Sequence, residues 1–226
     1  MKRSFPVGGG WLLASALAVA VAVAVLAVAV LSRVTPDEAL LRRWLNAQAR
    51  GTIPAALFRE VEVAPLEFRV AAARKIGEPE GALTTAWRWA RPRLPDAVRA
   101  RTPLPFSAGR RGMALLNLVA GFEHEPGVRQ ALLAVVTNRE AANRRIALLA
   151  LSRLPVLPPE LAEPLSTVAD DADHLLRLDV AVTLQLAMPR TGPVTLALQR
   201  LSRDPVPGVR QAANPTDPEE PETATP

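Results

Sequence analysis

Side chains of matching chemistry recur every 33 residues in the last part of this 226-residue chain. The matching positions are Leu132, Leu165 and Leu198; Val135, Val168 and Leu201; Asn138, Asp171 and Asp204; and Arg111, Arg144, Arg177 and Arg210. A constant period of this length indicates stacked structural repeats, because each unit then buries its apolar face against the next one. The period therefore restricts the possible folds more than any single motif does.

The composition predicts that these units are helical. Ala, Val and Leu dominate the apolar segments, tyrosine is absent, and the chain has only five Phe and four Trp. Aromatic residues are typical of strands, whereas Ala and Leu favour helices. We therefore expect an all-α protein. The absence of cysteine also excludes disulfides, thiolate metal ligands and cysteine nucleophiles.

A 21-residue stretch from Trp11 to Leu31 contains no charged side chain. At 1.5 Å per residue a helix of this length reaches about 30 Å, the thickness of a bilayer's hydrocarbon core. Lys2 and Arg3 precede the stretch and Arg33 follows it. We interpret residues 11–32 as a single transmembrane anchor in the cytoplasmic membrane, after a short N-terminal tail (1–10). The alternative is a secreted protein cleaved near Ala29, although the apolar run exceeds the roughly 7–15 residues of a signal peptide.

Residues 35–109 are expected to form an N-terminal helical part. Thr35, Pro36 and Glu38 are typical of a capped helix start, and Glu38 would complete a capping box. A short helix is predicted from Pro54 to about residue 60. A longer one is expected over 66–76, closed by a left-handed glycine at position 77. Four prolines between Arg88 and Arg111 predict an irregular insertion rich in Pro and Arg, at about 91–109.

Regular spacing returns in residues 110–213, which we interpret as the repeat region. Helices are predicted at about 110–121, 126–137, 140–153, 159–169, 173–187, 193–202 and 206–213. They are expected to alternate as first and second members of helical hairpins. The remaining residues, 214–226, are acidic and rich in proline and lack an apolar side chain that would anchor them, so we predict a disordered tail.

The repeat region resembles the HEAT repeat family. The resemblance rests on the segments Arg144-Arg145-Ile146-Ala147-Leu148-Leu149-Ala150-Leu151 and Arg177-Leu178-Asp179-Val180-Ala181-Val182-Thr183-Leu184, and on Pro126-Gly127-Val128-Arg129 and Pro207-Gly208-Val209-Arg210. It covers residues 110–213 and, more weakly, 66–77. It implies a short right-handed α-solenoid of HEAT-like helical hairpins behind one N-terminal transmembrane helix.

The same resemblance implies a structural ladder. In HEAT repeats an Asp in the turn between two helices and an Arg near the start of the second helix form ion pairs along the stack. The corresponding residues here are Asn138, Asp171, Asp204, Arg111, Arg144, Arg177 and Arg210. Pro105 and Val63 stand six residues before Arg111 and Arg69, where a carboxylate would be expected, so the ladder should be incomplete in the N-terminal part.

Few residues offer catalytic chemistry. His124 and His174 are the only histidines, and neither a phosphate-binding glycine loop nor a nucleophile elbow occurs. Asp170, Asp171, Asp173 and His174 are the best candidate metal ligands, but acidic residues at a helix start are common and Asp171 has a structural role already. We interpret Glu123-His124-Glu125 as a solvated loop. No catalytic residue, metal or cofactor is therefore assigned.

Arginines and tryptophans cluster just before the repeat region. The cluster comprises Trp87, Arg88, Trp89, Arg91, Arg93, Arg99, Arg101, Arg110 and Arg111, and is opposed only by Asp96. Arginine combined with aromatic rings is typical of sites that hold an anion, an acidic partner or an anionic lipid. The alternative is that Trp87 packs in a core and the arginines cover a solvated surface.

Three functional hypotheses follow. The first is a non-enzymatic, membrane-tethered HEAT-like scaffold that binds another protein at the cell envelope, because solenoids present extended surfaces. The second is a module that binds polyanions or anionic lipid through the arginine and tryptophan cluster. The third is a lyase or hydrolase built on HEAT-like repeats. We do not expect a nucleic-acid partner. The abrupt C-terminal end of the repeats also suggests self-association there.

The orientation of the anchor is open to a direct test. Lys2 and Arg3 favour a cytoplasmic N-terminus, whereas Arg33, Arg42 and Arg43 favour the opposite. We expect the globular part to lie outside the cytoplasm. A reporter that is active only outside the cytoplasm should therefore work when fused to the C-terminus. Activity of only a cytoplasmic reporter at the same position would contradict this prediction.

Overall fold

A computed structural model describes residues 35–79, Pro92 and residues 107–214. The predicted N-terminal tail, the anchor, most of the insertion and residues 215–226 lie outside the described residues. Within the described ranges, no helix combines the length and the apolar character needed to cross a membrane.

The described residues confirm the all-α prediction: they form ten α-helices, and their β-structure is limited to one isolated bridge between Leu157 and Ala187. The helices are α1 (Pro36–Ala49), α2 (Ala55–Glu62), α3 (Leu66–Ile76), α4 (Ala108–Val119), α5 (Pro126–Thr137), α6 (Arg144–Leu151), α7 (Pro159–Ser166), α8 (His174–Leu184), α9 (Gly192–Leu201) and α10 (Pro207–Ala213). A 3-10 helix, Thr167–Asp170, continues α7.

The helices from α3 onward pack in pairs and in two rows. The pairs are α3 with α4, α5 with α6, α7 with α8, and α9 with α10. In the first row α3 contacts α5, α5 contacts α7, and α7 contacts α9. In the second row α4 contacts α6, α6 contacts α8, and α8 contacts α10. Helix α1 covers the beginning of both rows by packing on α3 and α4.

The apolar members of the 33-residue period form the core of the first row. Leu132, Leu165 and Leu198 are all buried, and so are Val135, Val168 and Leu201. Each of them meets the equivalent surface of its neighbours because the period equals one helical pair. The buried aliphatic side chains form one continuous core that extends from α1 to α10.

The predicted cap of α1 is present in part. The Thr35 side-chain oxygen accepts a hydrogen bond from the Glu38 amide at 3.2 Å, as an N-cap does. The Glu38 carboxylate does not serve as the second half of a capping box, because its Oε1 pairs with Arg42 at 3.1 Å and with Lys75 at 3.7 Å. The start of α1 is thereby joined to the end of α3.

Gly77 corrects one prediction. It ends α3 as expected, but its φ of −79° is right-handed, so a left-handed cap does not explain it. A Cβ atom at this position would lie 2.9 Å from both methyl groups of Val135 and 3.3 Å from the Ala141 Cβ. Glycine is therefore needed here because the end of α3 lies directly against α5 and the loop that follows it.

Helix α6 also begins later than predicted, at Arg144 rather than near residue 140. Asn143 stops the helix from extending toward the N-terminus because its φ of 57° is left-handed. Its side-chain Nδ2 donates to the carbonyl oxygen of Ile76 at 3.0 Å and to that of Ala108 at 2.9 Å. Asn143 thus joins the end of α3 to the start of α4, on either side of the insertion.

Arg69 occupies a different place from the one its resemblance suggested. It lies in α3, in the first row, and only 5% of its surface is exposed. Its Nη1 donates to Leu118 O at 2.8 Å and its Nη2 to Val61 O at 2.5 Å. The guanidinium also lies over the Phe122 ring, 4.6 Å from the centroid. Burial lowers the pKa of this guanidinium. Arg69 therefore joins α2, α3 and α4 through carbonyl oxygens.

Replacing Asn143 should destabilise the fold at the α3–α4 junction. Asn143→Ala removes two hydrogen bonds and forces a side chain with a Cβ but no local hydrogen bond into the left-handed region, a loss of about 2–3 kcal/mol in the free energy of unfolding. Asn143→Gly keeps the backbone conformation and should lose only the hydrogen bonds. Asn117→Ala, on the exposed side of α4, is the control. Equal melting temperatures for Asn143→Ala and Asn117→Ala would contradict the junction.

Candidate functional site: an apolar groove bounded by ion pairs

The turns before α6, α8 and α10 share one hydrogen bond. The side-chain Oδ1 accepts from the amide two residues later at Asn138 (3.1 Å), Asp171 (3.0 Å) and Asp204 (2.8 Å). This local bond is typical of Asn and Asp in turns, and it fixes the direction of each side chain. The three turns are 33 residues apart, so the same side-chain oxygen is presented at each one.

Arginines of the preceding pair bind two of these carboxylates. Arg144 Nη1 lies 2.6 Å from Asp171 Oδ2. Arg177 binds Asp204 with two nitrogens, at 2.6 Å and 3.0 Å. The four side chains are between 6% and 13% exposed, so water screens these ion pairs poorly. The contacts join α6 to the start of α8, and α8 to the start of α10.

The same arginines also bind the turns that precede their own helices. Arg177 Nη1 donates to Asp171 O at 2.7 Å, and Arg210 Nη1 donates to Asp204 O at 2.8 Å. Arg144 Nε donates to Val136 O, near the end of α5, at 2.8 Å. One guanidinium therefore holds its own hairpin closed and, in α6 and α8, also holds the next hairpin in place.

The contacts are different at Arg111. Its Nη2 donates to Glu78 Oε2 at 2.6 Å, although the residue 27 positions later, where Arg144 and Arg177 find an aspartate, is Asn138. Asn138 keeps the turn without offering a charge. Glu78 was not singled out from the sequence, because it stands just after α3 and has no counterpart at the 33-residue spacing. Its only signal was its position beside Gly77.

The carboxylates of Asp204 and Asp171 are stabilised in their charged form. Arg177 lowers the pKa of Asp204, more than burial raises it, and the Val206 amide lowers it further. Burial raises the pKa of Asp171, but the Asp173 amide and Arg144 together lower it by more. Both carboxyl groups therefore lose protons more readily in the folded chain than a free aspartate does.

The residues considered as metal ligands are each engaged in the fold. Asp171 binds Arg144, Asp170 pairs with Arg200, and Asp173 Oδ1 caps α8 by accepting from the Leu175 amide at 2.9 Å. His174 is the exposed first residue of α8. In the part of the chain that the structure describes, no three or more His, Asp or Glu side chains converge as metal ligands would.

The predicted solvated loop of Glu123, His124 and Glu125 needs a correction at its first residue. Glu123 is only 6% exposed, because its carboxylate turns inward to accept from the Gly121 amide at 2.7 Å. Its other oxygen lies 3.4 Å from Arg153 Nη1. His124 is exposed as expected and lies 3.2 Å from Glu125. Glu123 thus closes the turn between α4 and α5.

Most of the arginine and tryptophan cluster lies outside the described residues. This applies to Trp87, Arg88, Trp89, Arg91, Arg93, Arg99 and Arg101. Of the two members that are described, Arg110 is exposed near the start of α4, and Arg111 pairs with Glu78. The described geometry therefore does not bring the cluster together as one site.

A groove of about 380 Å³ lies between α6 and α8 in the second row. Its walls are Leu148, Leu149 and Ser152 of α6 and its cap, and Val182 and Thr183 of α8. At its edge Arg145 Nε lies 2.6 Å from Asp179 Oδ2. Asp179 raises the pKa of Arg145, so this pair remains charged. The groove is apolar along its walls and bounded by one ion pair.

Exposed aliphatic side chains make this groove unusual for the surface of a helical pair. Leu149 is 46% exposed and Val182 is 51% exposed. The two are 33 residues apart, so they occupy the same position in successive second-row helices. Periodicity alone assigned both to the apolar face of their helices and did not distinguish them from the buried Leu148 and Ala181 beside them.

Comparison of the chain with protein-family models, curated proteins and solved structures found no match.

Removing one ladder charge should weaken the fold in a pH-dependent way. Asp204→Asn keeps the turn's acceptor but leaves the Arg177 guanidinium without its anion, a loss of about 3 kcal/mol at pH 7. Because the folded pKa of Asp204 is depressed, its contribution is fully present above the unfolded value of about 3.9 and is lost as the pH falls through the folded value.

Urea unfolding between pH 7 and pH 2 measures this effect. The free-energy difference between the natural chain and Asp204→Asn should shrink as the pH falls below about 4. Asp170→Asn is the control, since its pair with Arg200 is more than half exposed and should contribute less than about 1 kcal/mol. A pH-independent difference for Asp204→Asn would contradict the assigned ion pair.

Proposed function

We propose that this chain is a non-enzymatic adaptor of the HEAT-like α-solenoid type, which binds a protein partner through the groove between α6 and α8. The observation that carries the proposal is the pair of half-exposed aliphatic side chains, Leu149 and Val182, at equivalent positions on adjacent helices. Exposed apolar side chains that lie side by side are typical of interaction surfaces, because their contact with water is unfavourable until a partner covers them.

The two-row packing supports the solenoid part of this proposal. Equivalent helices follow each other along each row, and the ion pairs of Asp171 and Asp204 repeat with the period of the sequence. In such stacks each unit contacts mainly its neighbours, so one row remains available as an extended binding surface. The groove lies in the row that contains α4, α6, α8 and α10.

The chemistry of the groove favours binding over catalysis. Its walls carry aliphatic groups and the hydroxyl groups of Ser152 and Thr183. The ionisable groups that line it, Arg145 and Asp179, bind each other at 2.6 Å and are therefore not free to transfer a proton. A groove of this volume and lining suits one or two aliphatic or proline side chains of a protein segment.

The sequence supports a membrane tether for this adaptor. The uncharged stretch from Trp11 to Leu31 is long enough to span a bilayer. We propose that it holds the helical stack at the cell envelope, outside the cytoplasm, where the second-row groove faces a partner. The proposal places the binding surface far along the chain from the anchor, at residues 145–183.

Site-specific photo-crosslinking in native membranes tests the function. A photo-reactive amino acid at Val182 should yield at least about tenfold more adduct with one defined protein than the same group at Leu196, an exposed first-row residue. Leu149→Asp in the Val182 variant should abolish the adduct, because it places a charge in the apolar groove. Equal adduct at Val182 and Leu196 would contradict the groove as a binding site.

A further inference from the structure

We propose that the C-terminal segment of this same chain, residues 215–226, folds back and occupies the groove between α6 and α8 until a partner displaces it. This inference rests on the proposed function for the partner but not for its own test. It is argued from the place where the described chain ends, from the sequence that follows, and from the charges around the groove.

The structure holds the end of the last helix beside the groove. Gln185, which caps α8, donates from Nε2 to Ala212 O at 3.3 Å and to Ala213 O at 2.7 Å. Val182 and Thr183, which line the groove, are only two or three residues before Gln185. The chain therefore leaves α10 within about one helical turn of the groove's α8 wall.

The segment is long enough to reach. Adjacent packed helices are about 8–10 Å apart, so the chain must cross roughly that distance over α8. An extended polyproline II segment rises about 3.1 Å per residue. Three residues are then enough for the crossing, and residues near 218–223 fall over the groove.

The sequence of the segment has one apolar face in that conformation. Pro215, Pro218 and Pro221 recur every three residues, and polyproline II has three residues per turn. The three rings would therefore share one face. The carboxylates of Asp217, Glu219, Glu220 and Glu222 occupy the other two faces, and the segment contains no basic residue. Proline is also restricted in φ before docking, so less conformational entropy is lost.

Arginines around the groove complement these carboxylates. Arg153 follows Ser152 at the end of α6, and 45% of its side chain is exposed. Arg190 is exposed and donates from Nη2 to Gln185 Oε1 at 2.6 Å, beside the point where the chain ends. Arg145 lies at the groove edge, 44% exposed. The proline face thus meets Leu149 and Val182 while the carboxylates meet these cations.

Engineered cysteines test this placement in the full-length chain, which has no cysteine of its own. Ser152→Cys places a thiol in the groove, and Thr223→Cys places one in the segment without removing a proline or a carboxylate. The control is Ser202→Cys with the same Thr223→Cys. Ser202 caps α9 in the other row, and its hydroxyl bonds the carbonyl three residues earlier just as that of Ser152 does.

Under mild oxidation the Ser152→Cys and Thr223→Cys pair should form an intramolecular disulfide at least about tenfold faster than the control pair, since docking raises the effective concentration of the two thiols. Equal rates would overturn the proposal. A disulfide-linked dimer as the main product would also overturn it, because another copy would then fill the groove.

Charge removal supplies a second measurement that does not need the disulfide. With Ser152→Cys alone, neutralising the four carboxylates to Asn and Gln should speed maleimide labelling of the thiol about threefold or more, because the segment leaves the groove. An unchanged labelling rate would count against the docking. These readouts require no partner, so a cysteine pair that crosslinks while Val182 captures nothing contradicts the proposed function and leaves this inference standing.

Discussion

The ion pair between an arginine of one helical pair and the turn aspartate of the next is the interaction on which this structure depends. Each carboxylate is first aimed by a hydrogen bond within its own turn and then bound by a guanidinium from the preceding pair. Because both partners are largely buried, a small displacement of one pair against the next would leave a charge without its counterion. The ladder therefore favours one stacking geometry among many that are similarly apolar.

This geometry also shapes the groove. Arg144 and Arg145 are consecutive at the start of α6, and both reach α8: the first binds Asp171 in the ladder and the second binds Asp179 at the groove edge. Two adjacent ion pairs thus fix how far apart α6 and α8 lie. The exposed Leu149 and Val182 lie one turn or more beyond them, where the two helices present a fixed apolar surface. Binding there requires little rearrangement of the backbone.

The N-terminal end of the stack uses other contacts. Helices α3 and α4 form a pair although the insertion separates them along the chain. Asn143 joins their ends, Glu78 replaces the missing turn carboxylate for Arg111, and Arg69 binds carbonyl oxygens instead of a carboxylate. The period was lost from the sequence in this region, and these contacts were not predicted for the same reason.

The sequence by itself determined the helical class and the positions that repeat. Leu132 and Val135 belong to the core because side chains spaced by one structural unit must meet equivalent neighbours. The sequence also predicted where Asp171 and Asp204 stand relative to their arginines. It did not distinguish Leu149 from Leu148, because adjacent leucines in one helix give the same signal whether a neighbouring helix covers both or only one.

Only the tertiary structure decided which apolar side chains stay exposed, which partner Arg111 takes and why position 77 must be glycine. Each of these depends on contacts between segments far apart in the chain, such as the Gly77 backbone against Val135 or Glu78 beside Arg111. Local periodicity reports the face of a helix on which a residue lies. What covers that face is set by the packing of other helices, whose distance and angle no short-range pattern contains.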